Sequence, residues 1–383
     1  MTDSSHRARI LAALDHRPTD RVPIDFGGTY TTTIYYAAYE RLKQHLGVEH
    51  PTSIFSKTRR LAIPDESILR RFDVDTRFVG LGAYEGDQRE IDEDTYLDEW
   101  GTTWKKAEDG HYLYVDGPFF DIKKPPLEAL AAVDWPDPGN PGYYRGLAER
   151  ARVARDSGCA VILNMPIGVI HQGQFLRGFG DWLKDLYKNR AFTERVMDMV
   201  AERWIAVAEK ALEICGEDID IVFFGDDLAS QLAPLFSPDA YREIIKPRHA
   251  RMIGAVKSKG DVKVLYHSCG AVTALIDDLI EVGVDALNPV QVSAQGMEPE
   301  VLKRTYGKRI CFWGGINTQS VLPFGSPDEV RAEVRRVVDV LGEGGGYVLN
   351  SVHNLQDDVP VENIVAMFDE ARTYRQDSGG PPA

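Results

Sequence analysis

Cysteine is scarce in this chain, and none of it is paired in sequence. Cys159, Cys215, Cys269 and Cys311 are spread over 383 residues without a CxxC, which argues against a disulfide framework and fits a reducing compartment. Long apolar runs are missing too. No stretch approaches the roughly 18 uninterrupted apolar residues of a membrane span. The opening MTDSSHRARI contains no apolar stretch of signal-peptide length. These readings predict a cytoplasmic chain with no membrane partner. Positive charge is in deficit: 44 Lys and Arg face 59 Asp and Glu, a formal net charge of −15. That balance repels a phosphate backbone, so nucleic acid is not an expected partner. Neither GxGxxG nor GxxxxGK[ST] occurs, which weakens any nucleotide-binding reading.

What the chain does have is a repeated pattern. Short apolar runs rich in β-branched residues fall at 22–26, 160–164, 219–224, 262–266, 286–289, 310–313 and 347–350. Amphipathic segments separate them, with the clearest 3.6-residue period over 193–215 and 327–341. Strand alternating with helix implies a parallel sheet covered by helices, and seven or eight such units fit a closed (β/α)8 TIM barrel better than an open sheet. The expected organisation is one α/β barrel domain over 1–375. Residues 73–138, rich in charge and aromatics, read as an N-terminal excursion packed on the barrel mouth, and 376–383 as a disordered tail.

In such a barrel the reacting groups lie at the C-terminal ends of the strands. Residues just past each candidate strand therefore form the site list. Tyr30, Asn164, Met165, Gln291, Trp313 and Asn317 are the candidates for substrate contact. His267 and Cys269 stand two apart in LYHSCGAV, and in an extended strand i and i+2 share a side. Imidazole plus thiolate suits zinc, although a catalytic zinc needs a third protein ligand. A buried cysteine beside a histidine bonded to backbone is the alternative. His353, after the last strand, is the candidate third ligand, or else a loop histidine. Asp25 and Asp226 follow strands and are candidates for proton transfer at the mouth, their pKa raised by burial; helix capping or an exposed loop acid is the alternative for each. Asp227 reads as a cap or a supporting group. The two glycines of WGGIN end a strand, either to let backbone N–H groups approach an anion or to make a tight turn.

These motifs resemble the uroporphyrinogen decarboxylase superfamily, which includes the heme-pathway decarboxylase and corrinoid-dependent methyltransferases that act with methylcobamide. The resemblance runs from about Arg7 to Arg375 and is strongest in GDDLASQLAPLFSPDAYREIIKPRH, HSCGAV, RICFWGGINTQSVL and HNLQDDVPVENIVAMFDEA. It implies a (β/α)8 barrel with a deep cleft at its mouth. The decarboxylase branch carries an arginine-rich signature of the form RQAGRYLPE near its start. This chain has VPIDFGGTYTTTIYYAAYERL there, with no arginine before Arg41. The methyltransferase branch binds zinc through His-x-Cys and a later cysteine seven residues before a P-x-E-N helix start. Here His267 and Cys269 match the pair, and His353 stands seven before Pro360 where that branch has cysteine and the decarboxylases have histidine. The resemblance implies zinc on His267, Cys269 and His353 and methyl transfer to or from a small substrate. No Asp-x-His-x-x-Gly corrinoid motif is present, so the corrinoid would ride on a partner protein. Two other readings stay open: a metal-free decarboxylase or lyase on a smaller acid, with Asp25 or Asp226 as proton donor and His353 assisting, and a non-catalytic ligand-binding barrel.

Overall fold

The computed structural model describes residues 5–55, 60–86, 89–108, 110–166 and 168–375. Seven parallel strands form one sheet: β2 (Thr76–Gly80), β3 (Ala160–Asn164), β4 (Ile221–Gly225), β5 (Lys263–His267), β6 (Ala286–Asn288), β7 (Cys311–Ile316) and β8 (Tyr347–Ser351), adjacent in that order. The extended segment 23–25, here β1, closes the ring. Ile24 bridges Leu349 of β8 in parallel, and Asp75 N donates to Ile24 O at 2.8 Å on the other side. The result is the closed (β/α)8 barrel that the alternation predicts.

Period-two packing divides each strand. Ile162, Phe223, Leu265, Trp313 and Val348 fill the barrel interior, and α1 (His6–Leu14) seals its lower end with Ile10, Ala13 and Leu14. Alternate residues, such as Leu163, Val222, Phe224 and Tyr266, face the helix layer. Three helices matter for the site: α2 (Val169–Arg177), α3 (Arg190–Cys215) and α4 (Lys246–Lys257). Among the described residues no helix is long and apolar enough to cross a membrane.

The excursion begins later than the sequence predicts. Residues 76–80 are barrel strand β2 and not part of it. They read as excursion because Arg77 interrupts the apolar run, yet its guanidinium leaves the sheet to pair with Glu66 at 2.9 Å. The remaining segment makes a four-stranded antiparallel sheet, Arg89–Glu90, Thr95–Leu97, Thr103–Lys106 and Tyr112–Asp116. Trp104 and Tyr114 pack on Phe175 of α2, ring centroids 4.8 and 4.9 Å apart, while His111 meets Tyr35 at 5.0 Å. Both contacts are with segments that follow C-terminal strand ends, so the excursion lies against the C-terminal face. The expected tail, 376–383, falls outside the described residues.

Candidate metal centre at the barrel mouth

Strand β5 delivers His267 at its last position and Cys269 just beyond, both on the inward parity that starts at Leu265. Gly270 then turns the chain at φ +90°, where a side chain would strike the Ala229 and Ser230 carbonyls. Its N–H donates to Gln291 Oε1 at 2.6 Å, which fixes the turn. His353 arrives from the loop after β8. The ligand atoms of His267, Cys269 and His353 all lie within 4.8 Å of one another. Cys269 Sγ is 3.4 Å from His267 Nε2, and the two imidazole centroids are 5.5 Å apart. The three residues that the sequence singles out thus converge.

Asn288, at the end of β6, sets the tautomer. Its Oδ1 accepts from His267 Nδ1 at 2.7 Å and from Thr31 Oγ1 at 3.1 Å. A proton on Nδ1 leaves the Nε2 lone pair facing Cys269, the arrangement that a metal-ligating histidine needs. Burial, and then the nearby Asp227 carboxylate, push the Cys269 thiol well above its ordinary pKa. A bound divalent cation reverses that preference, since it favours the thiolate. Two imidazoles and one thiol at these spacings fit zinc with one position left over.

Two neighbouring carboxylates have opposite assignments from those the sequence suggests. Asp226 was expected at the mouth, but it points to the helix layer. Ile221 and Phe223 face the barrel interior and Val222 and Phe224 face out, so Asp226 falls on the outward parity. It is fully buried, accepts from Ile170 N and His171 N at the start of α2, and meets His249 Nε2 of α4 at 3.0 Å. Burial alone would raise its pKa. The His171 and His249 contacts outweigh that and hold it at about 2, the reverse of the expected upward shift. Asp227 is the residue on the mouth side. Its Oδ1 accepts from Cys269 N at 2.8 Å and stands 3.6 Å from His267 Nε2, and its Oδ2 is 3.4 Å from His171 Nε2. Burial disfavours the His171 imidazolium, but the two carboxylates raise its pKa to about 10. Counting by two from Phe223 would have found Asp227.

Asp25 does point into the barrel, but it is enclosed beneath the mouth. Its Oδ1 accepts from Thr76 Oγ1 and Gly28 N at 2.6 and 3.0 Å, and Oδ2 from Trp313 Nε1 at 2.8 Å. Burial raises its pKa. Trp313, fully buried, serves as its partner. Met165 is corrected like Asp226: it faces the helix layer, where it lines a small apolar cavity together with Trp204 of α3 and Met252 of α4. Asn164 ties the loop after β1, accepting from Tyr30 N and donating to Gly28 O. Asn317 caps a turn through Gln319 N and Ser320 N. Tyr30, half-buried, packs edge-on against Phe55 and Phe78 at 5.3 and 5.2 Å. The WGGIN glycines lie inside β7, paired with β8, and not at a loop.

A closed (β/α)8 barrel with histidine and cysteine donors gathered at its C-terminal mouth defines the class of protein. The chain belongs to the uroporphyrinogen decarboxylase (URO-D) family, whose model matches residues 166–374, more than half of its length. Within the superfamily it stands near the methylcobamide methyltransferase branch. It is 29% identical over 186 residues to the methylcobamide:CoM methyltransferase MtaA of Methanosarcina barkeri, covering 49% of this chain and 50% of that protein. It is 24% identical over 191 residues to the uroporphyrinogen decarboxylase of Methylococcus capsulatus, covering 49% and 51%. The chain spans about half the length of these curated relatives. A methyltransferase from Methanosarcina mazei has the same fold, with a TM-score of 0.65 over 96% of this chain and 98% of that one, at 18% identity.

Proposed function

We propose that this protein is an enzyme that transfers a methyl group between a small substrate and a corrinoid carried by a partner protein, with zinc held by His267, Cys269 and His353. The observation that carries the reading is the convergence of those three donors within 4.8 Å at the mouth. Zinc there would act as a Lewis acid, making a thiol more acidic or an ether oxygen a better leaving group. The protein's own residues do the rest. Asn288 keeps the His267 proton on Nδ1. Cys269 gives its proton to solvent when it ligates. Tyr30, with Phe55 and Phe78, supplies an aromatic wall against which a small substrate is oriented. The loop from Val22 to Glu40 offers no cation for a polycarboxylate, which disfavours uroporphyrinogen as substrate. Asp25 and Asp226 act in this reading as braces, both fully buried and already bonded within the protein. One barrel domain over 1–375, in the cytoplasm, fits the four free cysteines.

Elemental analysis of the purified protein tests the metal half, with one zinc per chain expected. Following the corrinoid spectrum of methylcobalamin mixed with the protein and a panel of thiols and phenols tests the transfer half. Release of carbon dioxide from a carboxylated substrate, with no demethylation of the corrinoid, would defeat the proposal.

A further inference from the structure

We infer that Asp227 is a fourth protein ligand of this metal centre, one that the substrate displaces. The inference rests on the metal reading above. Around a tetrahedral ion with bonds of about 2.0–2.3 Å, neighbouring ligand atoms stand about 3.3–3.8 Å apart. His267 Nε2 and Cys269 Sγ are separated by 3.4 Å, and His267 Nε2 and Asp227 Oδ1 by 3.6 Å. Both lengths match edges of such a site; the group within 4.8 Å is His267, Cys269 and His353, so ligation by Asp227 draws its carboxylate toward His353.

The backbone forces this approach. Gly225 pairs with His267 across β4 and β5, and a side chain on Gly225 would lie 2.1 Å from the His267 carbonyl oxygen. With glycine there the strands press together, and two residues later Asp227 comes level with Cys269. The bond that Oδ1 accepts from Cys269 N at 2.8 Å aims the carboxylate and leaves it a lone pair to offer. The side chain remains 35% exposed, so it is reachable from the mouth.

Charge gives the fourth ligand its purpose. Two neutral imidazoles and one thiolate leave a divalent ion with one uncompensated positive charge, which is costly to hold in a largely buried pocket. The Asp227 carboxylate cancels it. When an anionic substrate takes its place, the total charge is unchanged, and the released carboxylate stays beside His171 Nε2, 3.4 Å away. A carboxylate is a more exchangeable ligand than the thiolate, so the position closes in the resting protein and opens on substrate binding.

The test is cobalt(II) loading of the full chain, followed by titration with azide as a small anionic ligand. Wild type should show a thiolate-to-cobalt charge-transfer band and bind azide weakly, because azide must displace Asp227. Asp227→Asn keeps an oxygen to accept from Cys269 N but is a poor ligand, so azide should bind at least about ten-fold more tightly with the band retained. An unligated carboxylate at that place also repels azide, so imidazole is titrated alongside as a neutral ligand: it tightens in Asp227→Asn where Asp227 has held the fourth position, and unchanged imidazole affinity overturns the inference as well. Unchanged or weaker azide binding in Asp227→Asn, with the band present, overturns the inference and leaves the metal reading standing. Absence of the band from wild type defeats the metal reading itself. Asp227→Ser carries the same comparison should the asparagine variant fail to fold.

Discussion

The two ends of the barrel are both rich in buried polar groups, but they are built differently. At the lower end every charge of the Asp75 cluster has its partner. Asp75 accepts from Arg9 at 2.6 Å, from Arg21 at 2.7 Å, from His6 at 2.8 Å and from Ile24 N at 2.7 Å, and Arg9 is also forked onto Asp20. This network ties α1 to the strands it seals. At the upper end His267, Cys269 and His353 turn their ligand atoms toward one another, with Asp227 beside them. Lone pairs gathered in this way suit a cation, and the 3.4 Å contact between Cys269 and His267 is a weak hydrogen bond. The lower end is an arrangement for stability, and the upper end is one for binding.

Exchanging damage between the ends tests that division. Cys269→Ala should have the largest effect: metal affinity falls by more than about 100-fold, beyond the loss typical for an outer partner of a metal ligand. Methyl transfer disappears with it, while thermal stability of the metal-free protein changes little. Metal titration with a chelator competitor and a melting curve check both halves. Asp75→Ala should do the reverse. It leaves the Arg9 and Arg21 guanidinium groups buried without their shared carboxylate, which costs about 3–5 kcal/mol. Urea unfolding reads the loss, and metal affinity of the folded fraction should not move. Asn288→Ala is intermediate. The His267 ring loses its tautomer-fixing acceptor, so metal affinity should drop by about 10- to 100-fold with only a small change in stability.

Much of this was legible in the sequence, and the failures share one cause. The strand at 160–164 was placed to the residue because AVILN is apolar on both faces, as a strand buried between barrel interior and helix layer must be. The His267–Cys269 pair is legible because i, i+2 alternation survives a strand boundary error of two residues, and His353 is legible from its place after the last strand together with the family resemblance. Asp226 and Met165 are misplaced because strands apolar on both faces do not reveal which parity points into the barrel. Strand β2 is missed because Arg77 and the neighbouring acids look like loop, when the long side chain leaves the outer face of the barrel to reach Glu66. His171 carried no signal at all: nothing in VIHQGQF says that α2 begins against Asp226.

The smallest expected effect compares two buried aspartates, one from each end. Both are fully buried, yet their pKa values move in opposite directions. Burial would raise Asp75, but His6, Arg21 and Arg9 outweigh it and lower it below 3.8. Asp25 has only neutral donors, which do not offset its desolvation, so it is raised above 3.8. The signs follow. Asp75 contributes stability that is present above its unfolded value and is lost as pH falls through its lower folded value. Asp25 binds its proton more tightly folded than unfolded, so its contribution is present below 3.8 and is lost as pH rises through the folded value. Asp25→Asn keeps an acceptor for Thr76 and Gly28 but sets an amide donor against Trp313 Nε1, for a cost of about 1–3 kcal/mol. Measured by urea midpoint, that cost should shrink as pH rises above 3.8, while the cost of Asp75→Asn should grow as pH rises toward it. Parallel slopes for the two variants would mean that Asp25 is ionised in the fold like Asp75, and that the floor of the mouth is charged.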